Sequence, residues 1–236
     1  MRAKSRAARR EKEVANRVVE HLAGNEEFHD MMQRNLAPYR RLMTYYECAM
    51  MEVETKFRVL DSEYRLQHDR NPIESIKTRL KSPESLAKKL VRKNFPMSVE
   101  SVEENIYDVA GVRVVCTFPD DLYTLADALL AQDDVELVER RDYVANPKPS
   151  GYRSLHLIVE TPIFLESEKR LMKVEVQLRT ISMNFWASLE HQLRYKKNLS
   201  EDDARALGAE LVDLAESAAD LDSRMQALRD YVDRQE

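Results

Sequence analysis

The chain predicts an α+β fold: a mixed β-sheet flanked by helices, with helical N- and C-terminal extensions. Two observations carry this. Apolar residues recur at spacings of three and four both before residue 70 and after residue 200, the period of amphipathic helices. Between these stretches the segments read helix, β, α, β, β, β, α, and three consecutive strands favour a mixed sheet over a purely parallel one. With 236 residues, 43% of them hydrophobic, the chain can bury one substantial core. The expected division is an N-terminal helical region over 1–70, a core over 71–196 and a C-terminal helical region over 197–236, together forming one compact unit.

The elements follow in order. From Pro38, a residue suited to a first helical turn, Leu42, Tyr46, Ala49, Val53, Phe57, Leu60 and Tyr64 place one apolar face on a long helix. Shorter helices are expected ahead of it, around 12–23 and 26–36. Asn71 and Pro72 end the pattern, and a charged helix over 82–93 follows with Pro83 in its first turn. Residues 112–118 form a β-branched strand, 120–131 an amphipathic helix capped by aspartates, and 135–143 a second strand. Strands over 152–160 and 172–180 complete the sheet, the last running into a helix over 182–196. Finally, Leu207, Leu211, Leu214, Ala218, Leu221, Met225 and Leu228 form a heptad seam. That seam needs a partner, either the long helix that begins at Pro38 or a second copy of the chain.

Composition excludes several classes. The formal charge of −5 makes no global case for nucleic-acid binding, although the first twelve residues hold six Lys or Arg against one Glu. That arm reads first as a solvated tail, with single-stranded RNA as its candidate partner. Cys48 and Cys116 stand far apart without metal-ligand spacing, which indicates neither a disulfide framework nor a zinc site and fits a reducing cytoplasm. No apolar run is long enough for a membrane span.

The four glycines form neither a P-loop nor a dinucleotide fingerprint, so a bound triphosphate would have to be held by side-chain cations. Residues 79–92 can supply them: Ser85, Lys88, Lys89 and Arg92 share one helix face, and Arg79 and Lys81 alternate just before it. A solvated helix face explains the same cluster. Asp108 stands at the lip of the strand that follows, and Glu175 lies mid-strand on the face it shares with Gln177 and Arg179. Two acids on neighbouring strands could hold Mg²⁺ with phosphate oxygens and water, or could be ion-paired structural residues. Tyr152, Ser154 and His156 alternate onto one strand face beside Gly151. There a tyrosine could stack on a base and a histidine could bond a ribose or phosphate, although a lone histidine is more often structural.

Taken together, RLKSPES from Arg79, YDVAGVRV from Tyr107, NPKPSGYRSLHL from Asn146, EVQLRT from Glu175 and FWASLEH from Phe185 closely resemble the synthetase domain of the RelA/SpoT family, in particular its single-domain small alarmone synthetases. The resemblance runs from about residue 72 to 196. It implies a nucleotidyltransferase-like fold and transfer of pyrophosphate from ATP to the ribose 3′-hydroxyl of GDP or GTP, giving ppGpp or pppGpp and AMP in the stringent response. By the same resemblance, Arg79 stacks on adenine, while Lys81, Ser85, Lys89, Arg92 and Arg113 contact the triphosphate. Asp108 is the Mg²⁺ ligand, and Glu175 contacts the metal region and activates the 3′-hydroxyl. Tyr152 stacks on guanine, and Lys148, His156, Gln177, Asn184 and Arg141 fall at other acceptor-side positions. The chain has no room for the hydrolase and regulatory domains of the long members, so synthesis without hydrolysis is expected. The small members imply a homo-oligomer, with a tetramer favoured. Glu74-Ser-Ile-Lys-Thr lacks the aromatic residue of a regulatory alarmone cleft, so allosteric activation is not expected.

Two other readings stand beside this one. A nucleotidyltransferase with a different acceptor is disfavoured by the intact segment 148–156. A non-catalytic nucleotide or single-stranded-RNA binding module is disfavoured by the pair Asp108 and Glu175, for which binding alone has no chemical need.

Overall fold

The computed structural model describes residues 36–67, 70–194 and 200–235. The basic arm and the helix expected over 12–23 lie outside them, as does that over 26–36 apart from its last residue. Helix α1 spans Leu36–Gln67 and buries Leu42, Tyr46, Ala49, Val53 and Phe57 along the predicted face. It lies against β1, β2, β4 and β5 of a five-stranded sheet ordered β1-β2-β5-β4-β3. The strands are β1 Ile73–Leu80, β2 Ala110–Cys116, β3 Glu136–Asp142, β4 Leu155–Phe164 and β5 Lys169–Thr180. Only the β2–β5 pair is parallel, so the sheet is mixed as the strand order required.

One face of the sheet is apolar. Val112, Val114, Leu155, Leu157, Val159, Val174, Val176 and Leu178 are almost wholly buried and join the α1 face in one core. Helix α4, Pro119–Leu130, adds Leu122, Leu125, Ala126 and Leu129. Its capping is only partly the expected one: of the aspartates, Asp121 accepts from the Phe118 backbone N–H at 3.0 Å and forms a two-bond pair with Arg70. The opposite sheet face is left free to carry polar chemistry.

Four expectations need correction. β1 is a full strand where only a local alternation around Arg79 was foreseen. It pairs on one side only, and a register shift between Ile73 and Ser75 breaks its pattern. The short helix α3, Val99–Asn105, capped by Ser98, was not foreseen; seven residues give too little periodicity to read. β4 begins at Leu155, so Tyr152 and Ser154 precede it, and Ser154 is not on an exposed face. It is fully buried and donates to the Leu178 carbonyl at 3.1 Å. Lastly, helix α6, Glu201–Asp233, packs chiefly on α5, Ile181–Arg194, instead of on α1. It buries Leu211, Ala215 and Asp222, whereas Leu214, Leu221, Met225 and Leu228 of the expected seam stay exposed.

Candidate active site

Strand register assembles the site. Lys77 and Arg79 of β1 stand opposite Arg113 and Gly111 of β2, which in turn stand opposite Gln177 and Glu175 of β5. Because alternate residues share a face, all six side-chain positions project away from the apolar core. They line a cavity of about 420 Å³ together with Lys81, Asp108, Thr78 and Val112. Gly111 sits in register between Arg79 and Glu175, and its missing side chain keeps the space between them open. Six of the predicted residues therefore meet here: Arg79, Lys81, Asp108, Arg113, Glu175 and Gln177.

Helix α2, Pro83–Lys93, is capped by the Ser82 side chain, which accepts from the Ser85 N–H at 3.3 Å. This places Lys89 about two turns in, where its Nζ stands 2.7 Å from Asp108 Oδ1, while Lys81 Nζ is 3.0 Å from Oδ2. Burial opposes ionisation of Asp108, but the two lysines outweigh it and hold the carboxyl below its ordinary range. The Lys89 contact is an ion pair by distance without hydrogen-bond alignment, so Oδ1 remains a buried oxygen with no aligned donor. Ser85 lies in the first turn of α2, and Arg92 in its last turn is exposed and away from the cavity lining.

On the other side of Glu175 the polar groups close into a ring. Gln177 Nε2 donates to Glu175 Oε2 at 2.8 Å, and Arg179 donates to Gln177 Oε1 at 3.0 Å and to the Tyr152 hydroxyl at 2.7 Å. The Tyr152 hydroxyl lies 2.8 Å from His156 Nε2, and His156 Nδ1 lies 3.3 Å from Glu175 Oε1. Arginine can only donate, so the tyrosine proton is left for Nε2; neutral His156 then carries its hydrogen on Nδ1, facing Glu175. Burial of Glu175 raises its pKa, but His156 and Gln177 outweigh that and lower it overall; the charge of Asp108 pushes the other way. Arg113 is depressed by burial and by its cationic neighbours Arg179 and Arg79. The site thus holds more positive charge than it can pair, which favours an anion.

Lys148 stands 4.4 Å from the centroid of the Tyr143 ring and 4.7 Å from that of Tyr152, and the Arg179 guanidinium is 5.1 Å from the latter. Tyr143 also meets His156 edge-on at 5.3 Å. Asn184, in the first turn of α5, has a buried Oδ1 without a partner. Arg141 opposes His156 in register, is half exposed and forms two 2.6 Å bonds to Glu139, with Tyr143 as a further partner. Three site residues were missed. Arg179 had a signal, its alternation with Glu175 and Gln177, whereas Lys77 and Tyr143 had none that separates them from surface residues.

A profile of the region found in RelA / SpoT proteins matches residues 78–200, just over half the chain. The chain belongs to the RelA/SpoT family. Two relatives extend the similarity beyond that region. GTP pyrophosphokinase YwaC of Bacillus subtilis strain 168 is 41% identical over 204 residues, covering 86% of this chain and 96% of the relative. GTP pyrophosphokinase YjbM of the same strain is 36% identical over 201 residues, covering 85% and 89%. Among solved structures, small alarmone synthetase 1 of Bacillus subtilis bound to its product pppGpp superposes with a TM-score of 0.72 at 36% identity, covering 85% of this chain and 97% of that one. A GTP pyrophosphokinase family protein from Streptococcus pneumoniae superposes with a TM-score of 0.75 at 31% identity, covering 84% and 96%. The predicted fold class holds: this RelA/SpoT chain has the mixed sheet and flanking helices of those synthetases.

Proposed function

We propose that this chain transfers the β,γ-pyrophosphoryl group of ATP to the ribose 3′-hydroxyl of GDP or GTP, giving ppGpp or pppGpp and AMP. One observation carries the reading. Glu175 joins a cationic cavity, suited to a polyphosphate, to an aromatic and basic ring suited to a guanosine nucleotide. In the proposed reaction a bond forms between the 3′-oxygen and the β-phosphorus, and the bond from that phosphorus to the α,β-bridging oxygen breaks, leaving AMP. Glu175, kept ionised by His156 and Gln177, takes the hydroxyl proton. Arg79 and Arg113 stand where charge spreads over the phosphoryl oxygens, and Lys81 and Lys89 flank Asp108. Tyr152, with Lys148 beside it, offers a surface for guanine.

The donor set suits Mg²⁺. No group of three or more His, Cys, Asp or Glu side chains able to hold a metal ion occurs among the described residues, so a metal here would rely on substrate oxygens. Mg²⁺ commonly binds in that way, through one or two carboxylates plus phosphates, and the buried Asp108 Oδ1 lacks an aligned donor. Asp108 and Glu175 would hold it, and it would neutralise phosphate charge when bound. The reading also includes a homo-oligomer, a tetramer by resemblance, to which the exposed apolar residues of α5 and α6 are suited. No helix among the described residues is long and apolar enough to cross a membrane.

The test is to incubate the protein with Mg²⁺, ATP labelled in the β-phosphate, and GDP, GTP or GMP in turn. Labelled guanosine product with stoichiometric AMP is expected. Tight nucleotide binding with no transfer to any of the three would favour the binding module instead.

A further inference from the structure

Helix α6 touches the acceptor side at Gly151, which is not among the predicted site residues. Gly151, one residue before Tyr152, has φ +86°, and a methyl group added to it would come within 2.6 Å of Ala215 Cβ and 3.4 Å of Val212 Cα. The loop is therefore seated directly on the helix, with glycine required by both backbone and space. Its shape is otherwise set internally: the Gly151 N–H donates to the Lys148 carbonyl at 2.8 Å, and the Lys148 N–H to the Tyr152 carbonyl at 3.1 Å. A closed turn of this kind moves as a unit, carrying Lys148 and Tyr152 with it. The seat itself is buried and hydrogen-bonded. Leu211 and Ala215 are buried with Trp186 and Ala187 of α5, Tyr152 packs on the same cluster, and Trp186 Nε1 donates to the Leu211 carbonyl at 2.8 Å.

We propose that Ala215, through its contact with Gly151, is a positioning residue for the guanosine acceptor: α6 fixes how far the turn carrying Lys148 and Tyr152 stands from Glu175. Ala215 is not among the residues lining the cavity that holds Arg79, Lys81 and Arg113. Its effect is accordingly confined to the acceptor. This assignment rests on the synthetase reading above.

The experiment replaces Ala215 by Leu, with Ala215→Ser as the conservative control. Apparent KM is measured separately for GDP, GTP and ATP, and binding is followed with fluorescent guanosine and adenosine nucleotides. Alanine and leucine are both strong helix formers, so α6 itself is not compromised. The expected result is a tenfold or larger rise in KM and Kd for the guanosine nucleotides in Ala215→Leu. ATP values should stay within twofold, and Ala215→Ser should be near normal. Unchanged guanosine values, or equal losses for both nucleotides, would overturn the proposal. If Ala215→Leu fails to fold, Ala215→Val carries the same prediction with a threefold threshold, and an unselective loss there overturns it. Failure of the synthetase reading is distinguishable, because the unaltered protein would then make no product while the binding measurements still report on Ala215.

Discussion

Glu175 is the residue on which the chemistry turns, and its surroundings explain why a buried acid stays ionised. Two donors, His156 and Gln177, face its oxygens and outweigh the cost of burial. Glu175→Gln keeps the shape but removes the base, so turnover should fall by about 10²–10⁴-fold, read by AMP release, with nucleotide Kd largely kept. The sign of the pH effect follows from the lowered pKa. The base is active above its folded-state pKa, so activity should be lost as pH falls through a value below the ordinary 4.5, not near neutrality. A kcat profile measured over the acid range in which the fold persists checks this; a base-limited fall centred near pH 7 would remove Glu175 from that role. Tyr152 separates two contributions, its ring and its hydroxyl. If the ring stacks on guanine, Tyr152→Phe should alter acceptor KM by no more than about threefold, while Tyr152→Ala should lose the roughly 1–3 kcal/mol of base stacking. Glu175 and Gln177 were legible in the sequence because strand alternation puts both on one face; Tyr152 stood out beside Gly151, although it precedes β4 and reaches the site from the turn. Tyr143 and Lys77 were not legible, since an aromatic at a strand end and a lysine on an edge strand look like ordinary surface until register brings them to the site.

At the level of elements, legibility tracked how many local signals agreed. Helix α2 had a capping serine, a proline in its first turn and basic residues in its last, and it appears where expected. Strand β1 had only a broken alternation, because an edge strand pairs on one side and need not bury both faces. The β5–α5 junction shows what sequence could not reveal. Thr180 caps α5 by accepting from the Met183 N–H at 3.1 Å, and its hydroxyl donates at 2.5 Å to Asp222 of α6; Ser182 donates to the same Asp222 oxygen at 2.6 Å. Burial raises the Asp222 pKa despite these two hydroxyls. A raised acid pKa means the folded state holds the proton more tightly, so stability falls as pH rises from the unfolded value near 3.8 through the folded one. Asp222→Asn keeps an acceptor oxygen for both hydroxyls and should flatten that dependence, with a Tm at pH 7 equal to or above that of the unaltered protein. Asp222→Ala leaves the hydroxyls without their acceptor and should cost about 1–3 kcal/mol in urea unfolding. A lower Tm for Asp222→Asn at pH 7 would show that the charge itself stabilises the junction.

For the whole molecule, α6 has two faces with different tasks. Leu211 and Ala215 face inward onto the acceptor turn and Trp186, while Leu214, Leu221, Met225 and Leu228 are about half exposed. The heptad spacing was legible, but sequence could not say which residues the monomer's own core would take. Leu211 was claimed by α5, with Leu207 packed beside it and Ala215 added from outside the seam, while Leu214, Leu221, Met225 and Leu228 were left to solvent. On α5, Ile181, Phe185, Leu189 and Leu193 recur every four residues and are exposed as well. Apolar rows on two helices that pack together exceed the scattered exposure of an ordinary monomer surface and suit association between copies. Under the proposed oligomer, the double substitution Leu221→Glu with Leu228→Glu places two carboxylates in the contact while leaving Ala215 and Asp222 untouched. Light scattering coupled to size exclusion should then show loss of the tetramer, with far-UV circular dichroism unchanged because the substituted positions are exposed. Glu175 and the cavity residues all come from one chain, so transfer should persist in the dissociated form at a reduced or equal rate. An unaltered protein that runs as a monomer at micromolar concentration would remove the oligomer from the reading and leave the catalytic assignment standing.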